Sequence, residues 1–159
     1  MTLSSLVQWC YDSGVSQAFR DSTYLFAVTQ ALHVLAITVF VGAIAIGDLR
    51  LLGWGPVGQS RASIARGAQP VLIWAGLAVL ATGIPQFMAN ALTYYESPLF
   101  VFKMYLLAAA LLYTATLRRR VAIADEARLP SWLPRAVGAV SLALWVGVTI
   151  GGRLITYYG

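Results

Sequence analysis

Four stretches of this chain, roughly residues 24–47, 68–92, 98–117 and 136–155, run for long distances with almost no charge. About 20 apolar residues in a helix cross a hydrocarbon core of about 30 Å. At that length in lipid, only helices and closed barrels satisfy their own backbone hydrogen bonds. The composition agrees, with 59% hydrophobic and 11% charged residues in 159. That is too apolar for an ordinary soluble domain. The sequence predicts a single all-α integral membrane domain, a four-transmembrane-helix bundle with a short N-terminal interfacial helix. The interfacial helix is expected over about 2–20, and the spans over about 24–50, 68–92, 98–118 and 136–156.

The basic residues set the orientation. Arg50, Arg61 and Arg66 follow the first span, and Arg118, Arg119, Arg120, Arg128 and Arg135 follow the third. The connection between spans two and three has no basic residue and one acid, Glu96. Both basic connections are therefore expected in the cytoplasm, with both termini outside. The net charge of +5 reflects this bias. It argues for a lipid bilayer as partner and against nucleic acid, because the arginines flank spans instead of lining a soluble face.

Smaller signals refine the picture. Asp21-Ser22-Thr23 offers an N-cap for the first span, and Ser97-Pro98 opens the third. Pro70 is expected in the first turn of span two, where proline is tolerated. Tyr94, Tyr95, Tyr157 and Tyr158 read as an outer aromatic belt. Ala43 with Gly47, Gly76 with Gly83, and Gly147 with Gly151 are spaced for close helix approach, which suggests a homo-oligomer, dimer or trimer. The single cysteine, Cys10, excludes an intrachain disulfide.

The only histidine, His33, lies inside the first span. An ionisable residue in a span is costly, so a functional site with a partner is the default reading. His33 is nine residues below Tyr24, roughly 14 Å down. Lys103 enters with span three, roughly 8 Å down. Thr82, Gln86 and Asn90 share a face of span two, and Trp145, Thr149, Arg153 and Tyr157 share a face of span four. Polar groups from four helices are thus expected in the outer half of the bundle. Asp48 is assigned to the cytoplasmic end with Arg50 as its partner. The outer cluster then holds an imidazole and two cations with no acid at its depth, and such a cluster suits an anionic cofactor. Haem b fits: His33 as iron ligand, Lys103 and Arg153 for the propionates, Gln86 and Trp145 as neighbours. Two plainer readings stand beside it. His33 can simply bond a neighbouring helix, with Gln86 the nearest candidate. Lys103 and Arg153 can snorkel to the interface.

Ala31-Leu32-His33-Val34-Leu35-Ala36, followed by Phe40-Val41-Gly42-Ala43, resembles the first helix of the CopD-like membrane family and the related HemJ-type proteins. Lys103-Met104-Tyr105-Leu106-Leu107, running on to Arg118, resembles their later lysine-bearing helix. The resemblance implies a four-helix protein of the bacterial cytoplasmic (inner) membrane. It further implies His33 as ligand of haem b and Lys103 as a functional lysine; a haem protein of this kind is expected to exchange electrons with a quinone or another redox partner. The sequence departs from the HemJ pattern at Phe40, where tryptophan is common, and at Gly47-Asp48-Leu49-Arg50; protoporphyrinogen oxidation is not carried over. Two other functions compete. One is a CopD-type copper-handling protein using His33, Met88, Met104 and Cys10, although copper sites favour more convergent ligands. The other is a cofactor-free structural or assembly subunit.

Overall fold

Five hydroxyl side chains set where the chain turns helical. Thr2, Ser13, Ser22, Ser60 and Ser97 each accept a hydrogen bond from the backbone N–H three residues on, the arrangement that satisfies an orphan donor of a first turn. The structure is a computed structural model and describes residues 2–54, 58–125 and 128–158, with side chains as far as Leu154. The helices are α1 (Leu3–Asp12), α2 (Gly14–Asp21), α3 (Thr23–Leu52), α4 (Arg61–Ala89), α5 (Ala91–Glu96), α6 (Pro98–Ile123) and α7 (Trp132–Tyr158). No strand occurs among the described residues. Four helices, α3, α4, α6 and α7, are long and apolar enough to cross a bilayer. Their outward faces carry exposed Val28, Leu35, Trp74, Leu80, Phe102 and Leu112, as lipid-facing surfaces should. The chain is a multi-pass membrane protein.

Three boundaries differ from the sequence expectation. Helix α4 starts at Arg61, because Ser60 caps it, so Pro70 sits inside the helix and not in its first turn. Helix α6 runs past Arg118 to Ile123, through a π-helical turn over Thr114–Arg118. The N-terminal segment is two helices, broken at Ser13, and is tied down by more than the membrane surface. Fully buried Ser16 donates to the Met88 carbonyl at 2.9 Å. Arg20 bonds both Ser16 and the Tyr11 carbonyl, with its guanidinium 3.9 Å from the Tyr11 ring centroid.

Helix α3 is the centre of the bundle, packed on α4 and on α7. Helix α7 in turn packs on the Pro98–Tyr113 part of α6, whereas α6 meets α4 through Arg119–Ile123 at the opposite end. At the end of the bundle that carries α5, Phe87, Tyr94 and Phe100 stack, with Tyr94 and Phe100 only 4.8 Å apart and nearly parallel. Burial in that stack holds the Tyr94 phenol above its usual pKa. Tyr95 is exposed; the side chains of Tyr157 and Tyr158 lie outside the described residues.

The expected small-residue positions seat side chains of the same chain. A Cβ on Gly76 would lie 3.3 Å from the Phe40 ring, and one on Gly147 would lie 3.0 Å from Leu106. Gly138 lets α7 approach α3 closely, since a Cβ there would meet the Asp48 carbonyl at 2.9 Å.

Candidate functional site

His33 lies on a stripe of α3 that continues through Phe40, Ile44 and Asp48, the face turned into the bundle. The imidazole is half-buried against α4. A Cβ on Gly83 would approach its Cε1 to 2.8 Å, so only glycine leaves room for the ring at this point.

Hydrogen bonding assigns the tautomer of this ring. His33 Nδ1 is 2.8 Å from Thr82 Oγ1. The Thr82 hydroxyl has one proton, and it is directed at the Ala78 carbonyl 2.6 Å away. With that proton spent on its own helix, Thr82 is placed to accept from Nδ1–H, an assignment that puts the lone pair of neutral His33 on Nε2. Fixing one ring nitrogen through its hydrogen bond so that the other can bind is the usual second contact of a ligand histidine.

The expected neighbours are distributed unequally. Lys103 lies within electrostatic reach of His33. Its stem runs along Gly151 and Gly152 of α7, with Nζ 3.7 Å from where a Gly152 Cβ would stand and 5.9 Å from the Phe100 ring centroid. Its ammonium has no carboxylate partner among the described residues. Gln86 is not the partner of His33. Its amide donates to the Thr82 carbonyl at 2.9 Å and, across to α3, to the Thr29 carbonyl at 3.4 Å, one turn above the histidine. Arg153 follows the glycine pair that seats Lys103, but its side chain is exposed. Trp145 is separated from the cluster. It is buried two turns deeper, with its ring edge-on to Phe40 at 5.2 Å and its Nε1 donating to Thr114 at 3.0 Å. Thr149, one turn on, is exposed.

A second polar node occupies the other half of the bundle, and it corrects the expected pairing of Asp48 with Arg50. Arg50 donates to the Gln59 carbonyl. Asp48 is fully buried and its Oδ1 accepts from Arg118 Nε at 2.5 Å. The same guanidinium donates through Nη2 to the Ile44 carbonyl at 2.9 Å. Two local features turn Arg118 inward. The π turn over Thr114–Arg118 re-registers the end of α6. Gly47 leaves the space the guanidinium fills, for a Cβ there would collide with Arg118 Nη2. Asp48 Oδ2 and Ser141 Oγ face this node without a hydrogen bond of ordinary geometry. Sequence reasoning missed it by counting Arg118 among the loop arginines. The signal was present: Asp48 falls on the same α3 stripe as His33, and a glycine precedes it.

No group of three or more metal-ligating His, Cys, Asp or Glu side chains occurs among the described residues. A single protein ligand on a cofactor iron does not need one. A model of a family of unknown function, DUF6644, matches residues 9–158, nearly the whole chain. No curated protein and no solved structure matches it.

Proposed function

Since the chain belongs to the DUF6644 family, whose function is unknown, we propose from its own residues that it is a haem b-binding integral membrane protein with a redox or electron-transfer role. His33 would hold the iron through Nε2. Lys103 and Arg153 are the cations assigned to the propionates. When bound, haem would supply one-electron iron chemistry, and a quinone or another redox partner in the bilayer would be its exchange partner. The protein's part is to orient the imidazole, exclude water from it and place positive charge beside it. The membrane of this reading is the bacterial cytoplasmic membrane, with both termini outside, as the arginine distribution favours.

One observation carries the reading. The Thr82–Ala78 hydrogen bond favours a His33 tautomer that donates from Nδ1 and leaves Nε2 to bind, which supports the reading. The fit is further supported by the glycine seat at Gly83, by Lys103 with no carboxylate partner among the described residues, and by the course of α6. That helix packs on α4 through Arg119–Ile123, away from the His33 level. A cofactor-free assembly subunit is favoured by a different observation: His33 already has a partner in Thr82, and Gln86 ties the same two helices together.

Spectra and metal analysis of the purified protein and of His33→Ala separate these readings. The haem reading expects a Soret band that His33→Ala abolishes while the fold is kept. A Soret band that survives the substitution excludes His33 as the ligand. Copper without haem iron supports the CopD-type reading, and a colourless, metal-free protein with an inert His33→Ala variant supports the assembly subunit.

A further inference from the structure

Three arginines from three separate elements converge on one cavity where the spans reach the membrane surface. The cavity holds about 250 Å³ between the end of α3, the start of α4 and the start of α7. Leu51 and Pro134, both buried, give it an apolar floor. Arg50, Arg61, Ser131 and Arg135 are its polar lining residues. The Arg50 guanidinium is fixed in place by its Nε bond to the Gln59 carbonyl at 3.0 Å. Gly53, at the edge of the cavity, ends α3 in the left-handed conformation, with φ of 91°, which turns the chain away there.

The level of the cavity follows from its surroundings. Trp54, just past α3, and Trp132, at the first turn of α7, are both largely exposed. Tryptophans at span ends settle at the headgroup level of a bilayer. A guanidinium presents a planar fork that matches two phosphate oxygens at once. Basic pockets between transmembrane helices at this level are suited to lipid headgroups.

We infer that this cavity is a binding site for a phosphate ester, held by Arg50, Arg61 and Arg135 over the Leu51–Pro134 floor. The same chemistry is offered by the phosphodiester of an anionic lipid and by a soluble phosphate. The site is independent of the His33 cluster, so it stands or falls without the haem reading.

Native mass spectrometry of the detergent-solubilised full chain tests it, with phosphatidylglycerol, phosphatidylcholine and inorganic phosphate as probes. Arg50→Gln and Arg135→Gln are the site variants. Arg120→Gln, an exposed arginine outside the cavity, controls for net charge. Arg135 is exposed, so its variant should keep the unfolding temperature of the empty protein. Each site substitution is expected to weaken binding about fivefold, with Arg120→Gln near wild type. Retention of phosphatidylglycerol over phosphatidylcholine with that pattern assigns the site to a lipid headgroup. Saturable inorganic phosphate with the same pattern, and no lipid preference, assigns it to a soluble phosphate. Binding that ignores both site variants, or falls equally in Arg120→Gln, overturns the inference, as does no retention of any probe.

Discussion

Removing Arg118 should be among the most damaging single changes in this protein, and removing Asp48 with it should undo much of the damage. Asp48 has no exposed surface and Arg118 is 7% exposed. Their 2.5 Å contact is thus made away from water. Arg118→Met leaves the Asp48 carboxylate buried and uncompensated, a loss of about 3–5 kcal/mol for such pairs. At about 1.4 kcal/mol per decade, the unfolding equilibrium shifts by roughly a hundredfold to several thousandfold. The lost bond to the Ile44 carbonyl adds about 0.6 kcal/mol, the average for an interhelical hydrogen bond in a membrane protein. The double variant Asp48→Leu/Arg118→Met replaces both charges with apolar volume and should lie near wild type, because hydrophobic replacement of a buried pair is often neutral or stabilising. Reversible unfolding of the detergent-solubilised protein, followed for wild type, both single variants and the double variant, closes the cycle. The reasoning is refuted if both single variants stay within about 0.5 kcal/mol of wild type, the range of an ordinary surface change.

Other substitutions test separate parts of the account. Gly83→Ala puts a methyl group into the 2.8 Å gap beside His33 Cε1 and should destabilise by about 1–3 kcal/mol; an unchanged thermal midpoint would contradict the close packing of α3 and α4. Thr82→Val removes the acceptor for His33 Nδ1 and should lower cofactor affinity by about 10–100-fold, read by haem titration; undiminished affinity would show that the Thr82 bond does not orient the ring. Ser16→Ala takes away the bond to the Met88 carbonyl and a contact of Arg20. It should cost about 1 kcal/mol and raise hydrogen exchange across Leu3–Asp21, with the spans unaffected; exchange that rises equally in α3 would refute a local anchoring role.

The fold was legible because lipid leaves few choices. Runs of apolar residues longer than a bilayer's core must be helices, and the sequence marks four. The helix ends were less legible. Ser60 starts α4 before the apolar run begins, since capping depends on one hydroxyl and not on hydropathy. The end of α6 was misplaced for a related reason: a charged Arg118 reads as the edge of a span until its buried partner is known. Of the site, depth along the spans is what led sequence reasoning to place His33 and Lys103 in the same half of the bundle. Thr82 as partner of His33 did not, because a threonine in a span usually returns its hydroxyl to its own helix, and Thr82 does that while also accepting across to α3. Trp145 and Arg153 show the limit of four-residue spacing. It put both on one face of α7, yet one is buried two turns below His33 and the other is exposed, because the neighbours of α7 change along its length.

The central claim is that His33 presents Nε2 to a haem iron. The most direct measurement is the absorption spectrum of the protein purified in detergent from haem-replete cells, oxidised and then reduced, with haem and protein quantified on the same sample. The account predicts a Soret band, a redox-dependent change in the visible bands, and haem approaching one per chain. A folded protein from such cells that shows no Soret band in either state, and gains none on adding haem, would contradict it.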